Sequence, residues 1–257
     1  MRIIRVRHKG HVFYASLMDK SVICLNKELG LEDPIPLDEV AVLPVVTPSK
    51  IVCAGLNYAG HCEEMGREPP EETPLFLKPP TAIAGSGQPI VLPRGVGRVD
   101  YEAELAVVMG KTCKDIAPEQ ATEHIFGYTC ANDVTARDLQ AKDGIFGRAK
   151  GFDTFCPIGP WIETEVEDPS NLSLRTLINE EVRQEGATSD MLTPPLDLVS
   201  YVSRVMTLNP GDIILTGTPA GVGPIQEGDE VRVEIDNVGI LINPVVASEE
   251  AVSGPLQ

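Results

Sequence analysis

The stretch "GDIILTGTPAGVGPIQEGDEVRVEIDNVGIL", residues 211–241, decides the fold class. Runs rich in Val, Ile and Leu alternate in it with Gly-Asp and Asn-Val-Gly turn signals. The chain is therefore read as β-rich α+β, its sheet built largely from hairpins rather than from βαβ crossovers.

Working outward from this stretch, "PLDLVSYVSRVMTLNPGD" (195–212) repeats apolar residues at 198, 199, 202, 205 and 206 before Asn209-Pro210-Gly211. That spacing predicts an amphipathic helix with a sharp stop. "DIAPEQATEHIFGY" (115–128) places Pro118 in a helical first turn, so a second covering helix is expected there. Earlier come a strand at 51–54, a short helix at 58–65, the Pro-rich loop "GREPPEETP" and the strand "LFLK". The front segment "RIIRVRHKGHVFYASLMD" breaks at Lys9-Gly10 and reads as a hairpin. It opens a small N-terminal β-rich subdomain over residues 1–48, ahead of a main domain over 49–257.

A formal charge of −17 repels polyanions, and no basic stripe interleaved with aromatics is present, so nucleic acid is excluded as a partner class. No run approaches the ~18 apolar residues of a membrane span, and no apolar stretch follows the basic start as in a leader peptide. A cytoplasmic protein without membrane contact is expected. The six cysteines are scattered without a CxxC pair or zinc-ligand spacing, which suits reduced, buried filler. Cys62 adjoins His61, but neighbours on a helix point in different directions and do not form a nucleophile–base pair.

Chemistry concentrates in "VDYEAELAV" (99–107). Residues i and i+2 of a strand share a face, so Glu102 and Glu104 project together, with Ala103 and Leu105 opposite. A third acid, Asp133, stands in the uncharged run "GYTCANDV". Three carboxylates without His or Cys form a hard oxygen site suited to Mg²⁺ or Mn²⁺ rather than zinc. Pairing with the nearby Arg98 and Arg137 is the competing reading.

In "GLNYAGHCEEMG" (55–66), His61 and Glu64 at i, i+3 lie on one helical face, a geometry that suits a general base for water; on the residues alone an ordinary surface pair is the commoner explanation. "LTGTPAGVGP" (215–224) has neither a phosphate-loop ending nor a dinucleotide fingerprint. Its Thr216, Thr218 and glycine amides either hold a substrate carboxylate or form a plain tight turn. Lys78 and Lys150 are lone cations in apolar or aromatic surroundings, each available to an anion or a salt bridge.

Six ordered blocks resemble the fumarylacetoacetate hydrolase family: "GLNYAGHCEEMG", "PLFLKPPTAIAGSG", "VDYEAELAVVMGK", "GYTCANDVTARDLQ", "AKGFDTFCPIGPWI" and "NPGDIILTGTPAGVGPIQEGDEV". The resemblance runs from about Lys50 to Ile242. It implies a mixed β-roll or distorted β-barrel with peripheral helices, a catalytic domain over 49–257, and a homodimer or a multiple of one. It implies Glu102, Glu104 and Asp133 as ligands of Mg²⁺ or Mn²⁺, and His61 with Glu64 as a water-activating dyad on a lid segment. Lys78, Gln140, Lys150 and Thr218 match pocket positions, Lys150 with a catalytic part in supporting the oxyanion. Two features depart from the family pattern: the short "AKDGIFGRA" (141–149), where relatives are often longer and carry a Trp, and the front piece, which resembles only some bacterial members.

The implied activity is metal-dependent hydrolysis of a C–C bond in an acylpyruvate or related 2,4-diketo acid, through a metal-stabilised pyruvate enolate. The same site chemistry serves oxaloacetate decarboxylation, or isomerisation or decarboxylation of a 2-hydroxyhepta-2,4-diene-1,7-dioate in aromatic catabolism. A non-catalytic binder of metal and 2-keto acid is the alternative of another class; it leaves His61 and Glu64 without a task.

Overall fold

The computed structural model describes residues 1–249; the last residues of the expected catalytic domain, 250–257, lie outside the described residues. The architecture is mostly sheet with a few helices, in three sheets of 12, 3 and 5 strands. No closed barrel forms among the described residues. No helix among them is long and apolar enough to cross a membrane.

The centre is the strand Ala103–Met109, every residue of which is buried. It pairs antiparallel with Ile125–Asn132 on one side and with Ile213–Leu215 on the other. Its alternation divides the interior. Ala103, Leu105, Val107 and Met109 face a core shared with Leu198, Val199 and Val202 of the helix Pro195–Val205 and with Leu174, Val233 and Leu241 of the five-stranded sheet. Ala106 and Val108 face a second core with Ile51, Cys53, Ile158 and Ile213. Burial on both sides stabilises each large side chain by about 1.5–3 kcal/mol and fixes the strand's register, which a one-residue slip would invert.

The strands Ile51–Ala54 and Leu75–Lys78 form where the sequence places them, and pair antiparallel. So does the hairpin Arg2–His8/His11–Met18. The front piece has an apolar cluster of its own around Val6, Phe13 and Val22, while Arg2–His8 pairs with Cys156–Glu163 and so continues the large sheet.

Two expectations differ in detail. The segment after Asp115 makes a 3₁₀ turn, Pro118–Glu123, rather than an α-helix; the strand beginning at Ile125 follows too soon for longer helical propagation. Within 211–241, only Glu230–Ile235 and Gly239–Ala247 form a hairpin. Ile213–Leu215 joins the large sheet, parallel to Ile51–Ala54, and Gly223–Pro224 joins the three-stranded one. The glycine-rich loop between them therefore crosses from sheet to sheet, and the candidate site lies along it.

Candidate active site

A cavity of about 540 Å³ is lined by His61, Glu64, Arg67, Phe76, Glu102, Glu104, Asp133, Arg137, Gln140, Phe146, Lys150 and Thr218, among others. Oxygens of Glu102, Glu104 and Asp133 all lie within 4.8 Å of one another, and all three residues are buried. The strand Val99–Tyr101 ends before Glu102, which sits at the break where the chain passes from the three-stranded to the large sheet. Two hydrogen bonds tie the Glu102 and Asp133 segments together: the Asp133 N–H donates to the Glu102 carbonyl at 2.9 Å, and the Glu102 N–H to the Asn132 side-chain Oδ1 at 2.9 Å.

The charges around the acids are unequal. Lys150 Nζ donates to Glu102 Oε2 at 2.8 Å, to Asp133 Oδ2 at 2.6 Å and to Thr135 Oγ1 at 2.7 Å. Lys78 Nζ donates to Asp133 Oδ1 at 2.5 Å and to the Phe155 carbonyl at 2.6 Å. Arg137 Nη2 lies 2.7 Å from Glu102 Oε1, an ion pair off hydrogen-bond alignment. Among the described residues no cation pairs with Glu104; the Gly217 N–H donates to its Oε2 at 2.6 Å.

Burial, followed by repulsion from Asp133 and Glu102, pushes the Glu104 carboxyl well above the usual range. Burial opposes ionisation of Glu102 too, but Lys150 and Arg137 outweigh it and hold that carboxyl down at about 2. At 4.8 Å or less, each ionised pair repels by at least about 3 kcal/mol at an effective dielectric near 20. Buried all-oxygen donors with uncompensated repulsion at Glu104 fit a hard divalent cation such as Mg²⁺ or Mn²⁺.

His61 and Glu64 lie on α1 (Ala59–Glu64), a helix too short to be stable alone. His61 Nδ1 is 3.1 Å from Glu64 Oε2, and the Gly221 N–H donates to Glu64 Oε1 at 2.9 Å. With Nδ1–H directed at a carboxylate, Nε2 is the ring nitrogen left to take a proton.

Two glycines permit these contacts. Gly217 has φ +92° and a Cβ there would meet Asn57 Cβ at 2.8 Å; Gly221 has φ +100° and would meet Gln184 Cα at 3.1 Å. Both amides thus hold protein carboxylates, Glu104 and Glu64, rather than being left for a substrate as the sequence allowed.

The structure brings most of the expected residues to one cavity. Gln140 and Thr218 line it, whereas Lys78 is not among the lining residues and stands behind Asp133 with its ammonium fully enclosed. Sequence reasoning passed over two residues as site components. Arg137, read only as a pairing alternative, lines the cavity, donates from Nε to Asp100 Oδ2 at 2.8 Å and from Nη1 to Gln140 Oε1 at 3.0 Å. Gln184 gave no sequence signal, because its four partners come from three segments, two of them, at Ala103 and at Thr218-Pro219, far away in the chain.

Residues 50–246 match the family described as fumarylacetoacetate (FAA) hydrolase, C-terminal. The chain belongs to that family, as the acid-lined cavity and the sheet architecture accord with. It is 44% identical over 236 residues to the mitochondrial oxaloacetate tautomerase FAHD2A of Homo sapiens, covering 86% of this chain and 74% of the relative. It superposes with a TM-score of 0.88 on 5-carboxymethyl-2-hydroxymuconate delta-isomerase from Mycobacterium smegmatis, at 45% identity over 97% of this chain and 100% of the other. Maleylpyruvate hydrolase from Sphingobium sp. SYK-6, solved with manganese(II) and pyruvate, matches with a TM-score of 0.82 at 33% identity, covering 97% and 100%.

Proposed function

We propose that this chain is a divalent-metal-dependent hydrolase that cleaves a C–C bond of an acylpyruvate or related 2,4-diketo acid to pyruvate and a carboxylic acid. The observation that carries the reading is the His61–Glu64 pair, with Nδ1 engaged at 3.1 Å, on the same cavity as the acid cluster. Glu102, Glu104 and Asp133 would hold Mg²⁺ or Mn²⁺, which supplies a Lewis acid that offsets negative charge on the oxygens of a 2-keto acid. The manganese and pyruvate bound by the Sphingobium hydrolase support this pairing of ion and ligand class.

The chain's own residues divide the remaining work. His61 Nε2 takes a proton from water attacking the distal carbonyl, while Glu64 orients the ring and balances the imidazolium. Gln140 has its Oε1 against Arg137, so its amide N–H is the donor available to the oxyanion. All three Lys150 N–H bonds are engaged, so Lys150 acts here by positive charge. The C3–C4 bond then breaks, its electrons remain on the pyruvate portion, and the proton returns from His61 to C3.

A second reading has specific support: the human relative is named a tautomerase and the M. smegmatis one an isomerase. Those reactions relocate a proton without consuming water, and His61 Nε2, left free of the Glu64 contact, would be the group that moves it. Oxaloacetate decarboxylation needs no deprotonated water either. The discriminating experiment offers acetylpyruvate, oxaloacetate and a 2-oxohept-3-enedioate with Mg²⁺ or Mn²⁺ and follows products by NMR. In His61→Ala, acylpyruvate hydrolysis falls by ~10²- to 10⁴-fold with metal affinity unchanged, and decarboxylation falls less. Exclusive tautomer or isomer products from the wild type would displace the hydrolase reading.

A further inference from the structure

Gln184, on the strand Glu181–Ala187, is 2% exposed and makes four hydrogen bonds. Its Oε1 accepts from the Ala103 N–H at 3.2 Å and from Thr176 Oγ1 at 2.9 Å. Its Nε2 donates to the Pro219 carbonyl at 2.9 Å and lies 2.8 Å from Thr218 Oγ1. A backbone N–H only donates and a carbonyl only accepts, so these two partners fix which end of the amide is which. Nε2 therefore donates to Thr218, and the threonine oxygen is the acceptor.

A hydroxyl that accepts in this way keeps its own proton for another partner. Among the described residues Thr218 has no acceptor for that proton, yet it is 3% exposed and lines the cavity. The same amide grips Ala103, the residue between Glu102 and Glu104. The strand and the loop are in close contact besides, since a Cβ on Gly186 would meet Pro219 Cβ at 2.6 Å.

We infer that Gln184 is a positioning residue that turns the Thr218 hydroxyl into a fixed donor to an anionic oxygen of the bound 2-keto acid, in register with the acid cluster. This rests on the 2-keto acid reading above. Gln184 is not among the residues that line the cavity, and it acts on the bound acid through Thr218 while its bond to the Ala103 N–H sets the register. Gln184→Glu, measured at alkaline pH to keep the carboxyl ionised, tests it, because a carboxylate still accepts from Ala103 and Thr176 but no longer donates to the Pro219 carbonyl and attracts the Thr218 proton away from the cavity.

The experiment titrates pyruvate into the Mn²⁺-loaded protein by calorimetry and measures KM and kcat on the substrate the wild type turns over. Gln184→Glu and Thr218→Val should each weaken pyruvate binding about ten- to hundredfold, the loss of one hydrogen bond to a charged group. KM should rise by a similar factor with little change in kcat. The double variant should bind no more weakly than Thr218→Val alone, since the proton is lost only once. Where Gln184→Glu does not fold by circular dichroism, Gln184→Met, which removes the donor that fixes the hydroxyl but supplies no acceptor for its proton, should weaken pyruvate binding by a smaller factor of about three- to tenfold, and wild-type affinity in it overturns the inference. Losses that multiply in the double variant, or wild-type affinity in Gln184→Glu, overturn the inference while leaving the functional reading intact. A wild type that neither binds pyruvate nor turns over any 2-keto acid overturns both.

Discussion

Replacing Lys150 by methionine keeps the length of the side chain and removes its charge from the centre of the acid cluster. Glu102 Oε2 and Asp133 Oδ2 lose donors at 2.8 and 2.6 Å, and the three carboxylates are left facing Arg137 and Lys78 only. Breaking a buried ion pair from one side costs about 3–5 kcal/mol. For a chain of this size, at ~2–4 °C per kcal/mol, the metal-free variant should melt roughly 6–20 °C below wild type. Proton uptake by Glu104, already raised by burial and by its two acidic neighbours, draws the loss towards the lower end. Mn²⁺ or Mg²⁺ restores the missing positive charge. The shift in melting temperature on adding metal should therefore be larger in Lys150→Met than in wild type. Differential scanning calorimetry with and without EDTA measures both quantities. Melting within ~2 °C of wild type without metal, or equal metal-induced shifts in both proteins, would refute the view that Lys150 and the cation neutralise the same acids.

Removing metal with EDTA should abolish turnover, and Glu102→Gln or Asp133→Asn should weaken Mn²⁺ binding measured by calorimetry; full turnover in metal-free protein would contradict both. The two glutamates set opposite pH trends in the metal-free protein. Glu104, raised above its ordinary 4.5, contributes stability below that value and loses it as pH rises through its folded pKa. Glu102, held at about 2, contributes above its ordinary 4.5 and loses that as pH falls towards 2. Because a carboxylate must lose its proton to bind metal, Mn²⁺ affinity should rise by up to about tenfold per pH unit while Glu104 is protonated, then level off. A pH-independent affinity, with no proton release, would argue against a protonated Glu104. The chain should form a homodimer or a multiple of one, and light scattering showing a monomer at micromolar concentration would contradict this.

The sequence by itself determined whatever depends on local periodicity. The alternation through 103–109 separated Leu105 and Val107 from Ala106 and Val108, and both sets are buried in different cores as it required. The i, i+3 spacing brought His61 to Glu64, and the six family blocks named the acids before any fold was known. Tertiary structure alone decided which groups those side chains answer to. Glu104 meets an amide 113 residues away and Glu64 one 157 residues away, while Lys78, separated from Asp133 by 55 residues, is drawn behind the cavity rather than onto its wall. Contacts of that range leave no repeat in the sequence. They are fixed by how the sheets cross at Glu102 and along the loop after Leu215, where burial of Glu102, Glu104 and Asp133 forces those carboxylates to find partners from distant segments.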